Sequence, residues 1–472
     1  MHVLELTIVA DQTGCNGNGL QAMKKFTLPH EDTGPDFGRR RFLQGSAAAA
    51  VLAGSAGAAL HAPPARAQST SARIVIVGAG AAGVSLATRL DRALDGARIT
   101  IVDPREDHYY QPGLTLVATG AWERDRVVDR NARYLPRNVD WVREAVAEYD
   151  PESNRVRTDR GNWLEYDFLL VATGLQLDFR AIEGLDPDRV GENGLGCVYD
   201  TPDRAAATAQ AIAAFVDTGG RGLFIQPPGG IKCAGAPFKV AMLTEHRLRQ
   251  GGSRERAELL FATPHPSTGS IFSQPDMNDF LKVHLPEDRG FSMEWEHQLV
   301  ALDHSARTAI FATPEGEREV EYDFIHAVPP MSAPAELLDS ELADHDGDFP
   351  GWMAVDRHTL RHPRYSNVFG VGDVVGTPIG KTAASVKAQV PVAVDNLLAV
   401  MREAEPTAAY GGYTSCPLIT EFGRGILVEF DYSLQMTPSF DFIDPYREQW
   451  VPWLMKDRML HAAYKAMLRG RI

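Results

Sequence analysis

Cysteine is scarce in this chain, with four among 472 residues: Cys15, Cys197, Cys233 and Cys416. That is too few for a disulfide scaffold, so each thiol is a candidate for chemistry. Positive charge is also short, 47 Lys and Arg against 62 Asp and Glu, a net of −15. So acidic a surface repels phosphate and argues against nucleic acid as a partner. Beyond the N-terminal segment no run of about eighteen apolar residues occurs, so no membrane-spanning helix is expected. No His or Cys spacing suits a metal ion, no nucleophile elbow supports a Ser-His-Asp site, and no repeat of solenoid period is visible. What is present is an ordinary globular composition, 44% hydrophobic and 23% charged, at a length that suggests about three domains.

Residues 1–67 read as a targeting segment. Arg39-Arg40-Arg41-Phe42-Leu43-Gln44 fits a twin-arginine pattern, residues 46–60 form an Ala- and Gly-rich run, and Ala65-Arg66-Ala67 offers a small-x-small cleavage site. The expectation is a mature chain from Gln68, exported to the periplasmic side of a membrane with its cofactor already inserted. Met23 is a second candidate start.

Arg73-Ile74-Val75-Ile76-Val77 is a β-branched run of the kind found in buried parallel strands. It leads into Gly78-Ala79-Gly80-Ala81-Ala82-Gly83, a helical stretch, and a second strand ending at Asp103. Strand, glycines, helix, strand and terminal acid in that order form a dinucleotide-binding fingerprint. Gly78, Gly80 and Gly83 let the backbone approach a pyrophosphate at a helix N-terminus, and Asp103 can accept from a ribose hydroxyl. A strand leading to Ala172-Thr173-Gly174 and another leading to Gly372-Asp373 follow. The trio resembles flavoproteins with two dinucleotide-binding domains, which implies FAD at Ala172, Thr173, Gly174, Gly372 and Asp373. A second strand, Gly222-Leu223-Phe224-Ile225-Gln226, runs instead into Pro227-Pro228-Gly229-Gly230 and then Lys232-Cys233. Prolines have no N–H to offer a phosphate. NAD(P)H therefore has no evident cradle, and a thiol stands in its place.

From about residue 73 to 469 the chain is similar to sulfide:quinone oxidoreductases, above all the group that includes mitochondrial enzymes. The matching stretches are His108-Tyr109-Tyr110-Gln111-Pro112, Lys232-Cys233-Ala234-Gly235-Ala236-Pro237, His326-Ala327-Val328-Pro329-Pro330-Met331-Ser332, Lys381-Thr382-Ala383-Ala384, Tyr413-Thr414-Ser415-Cys416-Pro417 and Glu429-Phe430-Asp431-Tyr432. The resemblance implies a redox-active pair, Cys233 with Cys416, beside the flavin. It also implies that Cys233 takes sulfur while Cys416 hands electrons on, and that Gln111 and Lys381 lie at the cofactor. Hydrosulfide can open such a disulfide as a small anionic nucleophile. Lys232 is a candidate to stabilise a thiolate, against the alternative of a solvated loop charge. Cys197 is either a third thiol shuttling sulfur at the entrance or a buried small hydrophobe. Glu245 and His265 are candidate acid–base groups.

Trp450, Trp453, Leu454, Met455, Met459, Leu460, Ala463, Tyr464, Met467 and Leu468 recur at helical spacing, with Lys456, Arg458, Lys465, Arg469 and Arg471 beside them. Such a stripe fits a helix in a membrane interface or one packed on the core; the resemblance implies the interface, reached to meet quinone. Tyr413, Phe422, Phe430 and Lys381 are candidates for the quinone pocket.

The expected architecture is α/β. Residues 72–190 and 310–405 make a discontinuous FAD-binding domain, 195–309 a second Rossmann-like domain, and 406–472 a C-terminal quinone and membrane region. The expected partners are sulfide, quinone, a small sulfur acceptor and a membrane surface, and homo-oligomerisation is left open. Competing readings are the flavoprotein subunit of a flavocytochrome c sulfide dehydrogenase, a type II NADH dehydrogenase disfavoured by the missing glycines, and a flavin-binding scaffold or sulfur carrier without turnover.

Overall fold

A computed structural model describes residues 67–472. The export signal expected at residues 1–67 lies, but for Ala67, outside the described residues. Five parallel strands form the first sheet, in spatial order Val368–Gly370, Phe168–Val171, Arg73–Val77, Arg98–Val102 and Val139–Val142. Ile74, Ile76 and Ile101 are fully buried, as strands covered on both faces require. The Ala81–Ala93 helix packs on this sheet and against the Ala383–Met401 helix.

A second parallel sheet has the order Leu195–Gly196, Phe324–His326, Gly220–Ile225, Ala257–Ala262 and Phe291–Glu294. Its Phe324–His326 strand lies beyond the boundary expected at residue 309. The strand is too short to signal itself in sequence, but all three of its residues are buried between neighbours. The helices Pro202–Thr218 and Ala236–Gln250 pack on this sheet. Each sheet continues into a three-stranded antiparallel one, formed by residues 146–165 and 298–321.

Near the C-terminus, Thr414–Glu421 and Arg424–Phe430 form an antiparallel pair, and the first of these strands lies along the Ala236–Gln250 helix. The helices Trp450–Leu454 and Leu460–Leu468 follow, joined by a widened turn over Met455–Met459. The stripe expected to face a membrane is largely turned inward. Tyr464, Met467 and Leu468 join the main core, and the Tyr464 hydroxyl meets His108 Nε2 at 2.7 Å. Thr88 Oγ1 donates to Leu468 O at 2.9 Å, and the Trp122 indole N–H donates to Asp457 at 2.6 Å. Part of the apolar face is spent on the Ala81–Ala93 helix and on His108. In this region the exposed aromatics are Phe442 at 67% and Tyr446 at 37%, upstream of the stripe, and Trp450 at 64%, its first residue. Among the described residues no helix is long and apolar enough to cross a membrane.

Candidate active site

The first strand–loop–helix turn is built for a close ligand. Gly78 has φ +102°, and a side chain there would collide with the carbonyl of Ala172. This brings the Ala172-Thr173-Gly174 turn against the glycine loop. A side chain on Gly83 would fall on Gly78 O, so the helix meets the strand only without one. Nothing lies within 4 Å of a β-carbon built on Gly80 or on Gly174 (φ +75°). Asp103 Oδ2 accepts from the Ala79 N–H at 2.7 Å and its Oδ1 from the Arg105 N–H at 2.8 Å, so this acid also fixes the loop. The Thr173 hydroxyl is buried without a partner. An open glycine, an unsatisfied hydroxyl and an acid at the strand end fit the nucleotide part of FAD.

Beyond the neighbouring Val368–Gly370 strand, Gly372 (φ +90°) donates its N–H to Gln389 Oε1 at 2.8 Å. Asp373 is half-buried; burial pushes its carboxyl up, against the pull of Lys232 and Lys381. Lys381 donates to Asp373 O and Val375 O, each at 2.8 Å, and stands 3.3 Å from the Trp352 ring centroid. Burial pulls it down to about 7. Lys232 Nζ donates to Gln111 Oε1 at 2.9 Å. Gln111 and Lys232 therefore bind one another, and Lys232 does not serve as the ammonium at the sulfurs.

That ammonium belongs to Lys239, a residue the sequence reading passed over. Its Nζ lies 3.2 Å from Cys233 Sγ and 3.3 Å from Cys416 Sγ, with Lys239 only 1% exposed. Cys233 precedes the Ala236–Gln250 helix and Cys416 sits on the Thr414–Glu421 strand. Side chains on a helix lean toward its N-terminus, so Lys239, one turn in, reaches back to both sulfurs. Both thiols are free. The hydrogen bond from Cys416, with Lys239 and Lys456 nearby, holds Cys233 well below the usual thiol range despite burial. Donating that bond, together with burial, pushes Cys416 well above it. Burial opposes the charge on Lys239, but the two sulfurs outweigh it and raise its pKa. Two thiols beside one fixed cation favour the thiolate form at Cys233.

The backbone at this pair is specialised. Cys233 has φ +47°, a left-handed conformation that residues with a β-carbon seldom adopt. It is held by its N–H donating to Lys381 O at 2.9 Å and by Ala236 N–H and the Tyr199 hydroxyl donating to its carbonyl at 2.7 and 3.3 Å. A β-carbon on Gly235 would stand 2.8 Å from Cys416 Sγ, so glycine admits the sulfur to the helix start. Lys456 is buried; its ammonium donates to Pro112 O and, with Lys239 and both sulfurs nearby, burial lowers it to about 8.

The remaining candidates are placed elsewhere. Cys197 is fully buried, its Sγ 3.9 Å from Tyr199 O, and burial pushes its thiol up to about 11. Full burial suits the reading of Cys197 as a small hydrophobe better than that of an entrance shuttle. Glu245 is bound by Arg249 at 2.8 Å, Arg289 at 3.4 Å and Arg254 at 3.6 Å, and so occupied it is no acid–base group for the sulfurs. His265 lies on the loop after Ala257–Ala262, its backbone tied to Thr263 and Glu296. The Tyr413 hydroxyl donates to Glu429. Phe422 meets Trp453 edge-on at 5.8 Å, and buried Phe430 lies 6.3 Å from Phe272. Among the described residues no His, Cys, Asp and Glu group could hold a metal ion.

A glycine cradle on one parallel sheet and a reactive thiol pair at the second define a flavin-type disulfide oxidoreductase, and residues 72–212 match the pyridine nucleotide-disulphide oxidoreductase model. The chain is 37% identical to the mitochondrial sulfide:quinone oxidoreductase of Mus musculus over 84% of this chain and 86% of that protein. It is 36% identical to the mitochondrial enzyme of Dictyostelium discoideum, with the same coverage. It belongs to the sulfide:quinone oxidoreductase family. The fold agrees with the X-ray structure of the sulfide:quinone oxidoreductase of Aquifex aeolicus, at TM-score 0.70 and 22% identity over 85% of this chain and 92% of that one. The periplasmic, twin-arginine expectation is corrected by these relatives, which are mitochondrial. Arginine-rich, acid-poor leaders serve more than one targeting route, so the Arg39–Arg41 cluster does not identify the route.

Proposed function

We propose that this chain oxidises sulfide to sulfane sulfur at Cys233 and Cys416 and passes the two electrons through FAD to quinone. The observation that carries the reading is the single Lys239 ammonium within 3.3 Å of both sulfurs. Hydrosulfide attacks Cys233 Sγ of the oxidised pair, the S–S bond breaks, Cys233 becomes a persulfide, and Cys416 leaves as thiolate. Lys239 stabilises that thiolate at the moment it forms. FAD, when bound, accepts the electron pair and delivers it to quinone. Gly78, Gly80, Gly83, Asp103, Ala172, Thr173, Gly174, Gly372, Asp373 and Lys381 would hold it. A nucleophilic sulfur acceptor takes the outer sulfur and releases Cys233 as thiolate, and Cys233 then re-forms the S–S bond with Cys416, giving up the two electrons that pass to FAD. Lys456, with a pKa of about 8, replaces Glu245 and His265 as the proton-exchanging group near the pair.

Phe442, Tyr446 and Trp450 supply the face for a membrane surface, in place of the inward Leu460–Leu468 helix, and Tyr413, Phe422 and Phe430 line the approach for quinone. The domain division is the two-part FAD unit, the second Rossmann-like unit extended to residue 326, and the C-terminal region from 406. Anaerobic titration with sulfide and then a soluble quinone tests the function. Flavin absorbance falls with sulfide and returns with quinone; flavin that sulfide leaves oxidised defeats the reading.

A further inference from the structure

The Ala236–Gln250 helix and the Thr414–Glu421 strand carry the two halves of the sulfur site, and they meet at two places. One is Lys239 with Cys416. The other is a buried cluster centred on Arg289, which is 8% exposed. Arg289 Nη1 lies 3.4 Å from Glu245 of the helix and 3.5 Å from Glu421 at the strand's end. Its Nη2 lies 3.4 Å from Glu448, just ahead of the Trp450–Leu454 helix, and its Nε donates to His284 Nε2 at 3.2 Å. The same two elements are joined directly, His246 to Glu421 at 3.2 Å and Arg249 to Glu421 at 3.1 Å. A register shift between Ile419 and Glu421 interrupts the strand's pairing at this point; a bulge of this kind re-aims the side chain beside it.

We propose that Arg289, through Glu245 and Glu421, is a positioning residue that fixes the helix against the strand and so sets the separation of Cys233 and Cys416. The inference rests on the sulfide-oxidising reading above. A disulfide tolerates little error, with β-carbons about 3.5–4.5 Å apart, so a slight slide of the strand makes the bridge harder to close. The guanidinium is suited to the task because its rigid, planar fork holds several carboxylates in fixed directions, whereas an ammonium is a point charge on a flexible stem. Glu448 brings the segment before the exposed Trp450 into the same cluster.

The test compares Arg289→Lys, Glu421→Gln and Glu448→Gln with the parent and with Glu287→Gln, an exposed control. The Cys233–Cys416 thiol–disulfide equilibrium is read by thiol labelling across a glutathione redox series, alongside flavin content and melting temperature. Arg289→Lys and Glu421→Gln are expected to retain flavin and to shift the equilibrium toward the dithiol about tenfold, about 30 mV for two electrons. Glu448→Gln shifts it less, and Glu287→Gln leaves it unchanged. Flavin-loaded Arg289→Lys and Glu421→Gln with equilibria within about twofold of the parent would overturn the proposal. Loss of flavin and fold together in all three cluster variants would also overturn it, because the cluster would then act on the fold alone. A parent that forms no disulfide at any potential defeats the function reading instead.

Discussion

The two parallel sheets each send a strand through a loop into a helix, Arg73–Val77 into Ala81–Ala93 and Gly220–Ile225 into Ala236–Gln250. In the first the loop is glycine, with open space over Gly80. In the second, prolines replace the glycines, and the loop delivers Cys233 in a left-handed conformation just ahead of the helix. Both helix starts carry a partial positive charge, suited to a phosphate at the first and to a thiolate at the second. A helix start alone is weak, and the second crossover adds a full charge, Lys239, inside its first turn. The second loop differs from the first in its two prolines, its thiol and the full charge beside that thiol.

The contrast breaks most sharply if the second loop does no chemistry. Cys233→Ser and Cys416→Ser are each expected to lower sulfide-driven quinone reduction by about a thousandfold while flavin stays bound. Either variant turning over at the parental rate in a stopped-flow assay would return that loop to a structural role. Lys239→Met is next, with a loss of about a hundredfold. The ammonium favours the charged form of Cys233, so its removal raises that pKa, and the alkylation rate profile of the thiol must move to higher pH. An unmoved profile would assign the low Cys233 pKa to Cys416 and Lys456. Gly80→Ala tests the first loop, since a methyl there meets no protein atom. The melting temperature of the flavin-free protein should hold within about 2 °C, and the flavin dissociation constant should rise about tenfold. Unchanged flavin affinity would move the phosphates elsewhere. Cys197→Ala has the smallest effect, activity within about twofold and about 1 kcal/mol of stability lost to a small cavity. A larger loss of turnover in steady-state assay would restore it as a working thiol.

Much of the comparison was legible from residues alone. Gly78 to Gly83, the acid at Asp103 and the prolines at 227–228 declare themselves because they dictate backbone shape, which is local. The meeting of Cys233 and Cys416 needed the family resemblance, since nothing near either residue specifies the other. Lys239 was not legible because adjacency in sequence is a poor guide to reach. Lys232 turns across to Gln111, while Lys239 leans back along its helix. One signal was available: the chain has only nine lysines, and Lys232, Lys239, Lys381 and Lys456 all lie in the segments that build this site. The ion pairs of Glu245 were not legible because a buried acid on a helix looks the same in sequence whether it exchanges protons or is held by three arginines. The C-terminal stripe was legible only in part, as periodicity says that a face is apolar but not what covers it.

The hydrogen that Gly235 carries in place of a methyl governs how near a sulfur can come to a helix backbone. Alanine there would act as a wedge, driving Cys416 from the ammonium or the helix start from its loop. Its signature would be a thiol pair that stays reduced under air in a labelling assay, in a protein otherwise folded and yellow. Reactivity at this centre is set by an omission, and enlarging the smallest residue near it is the least conspicuous way to switch it off.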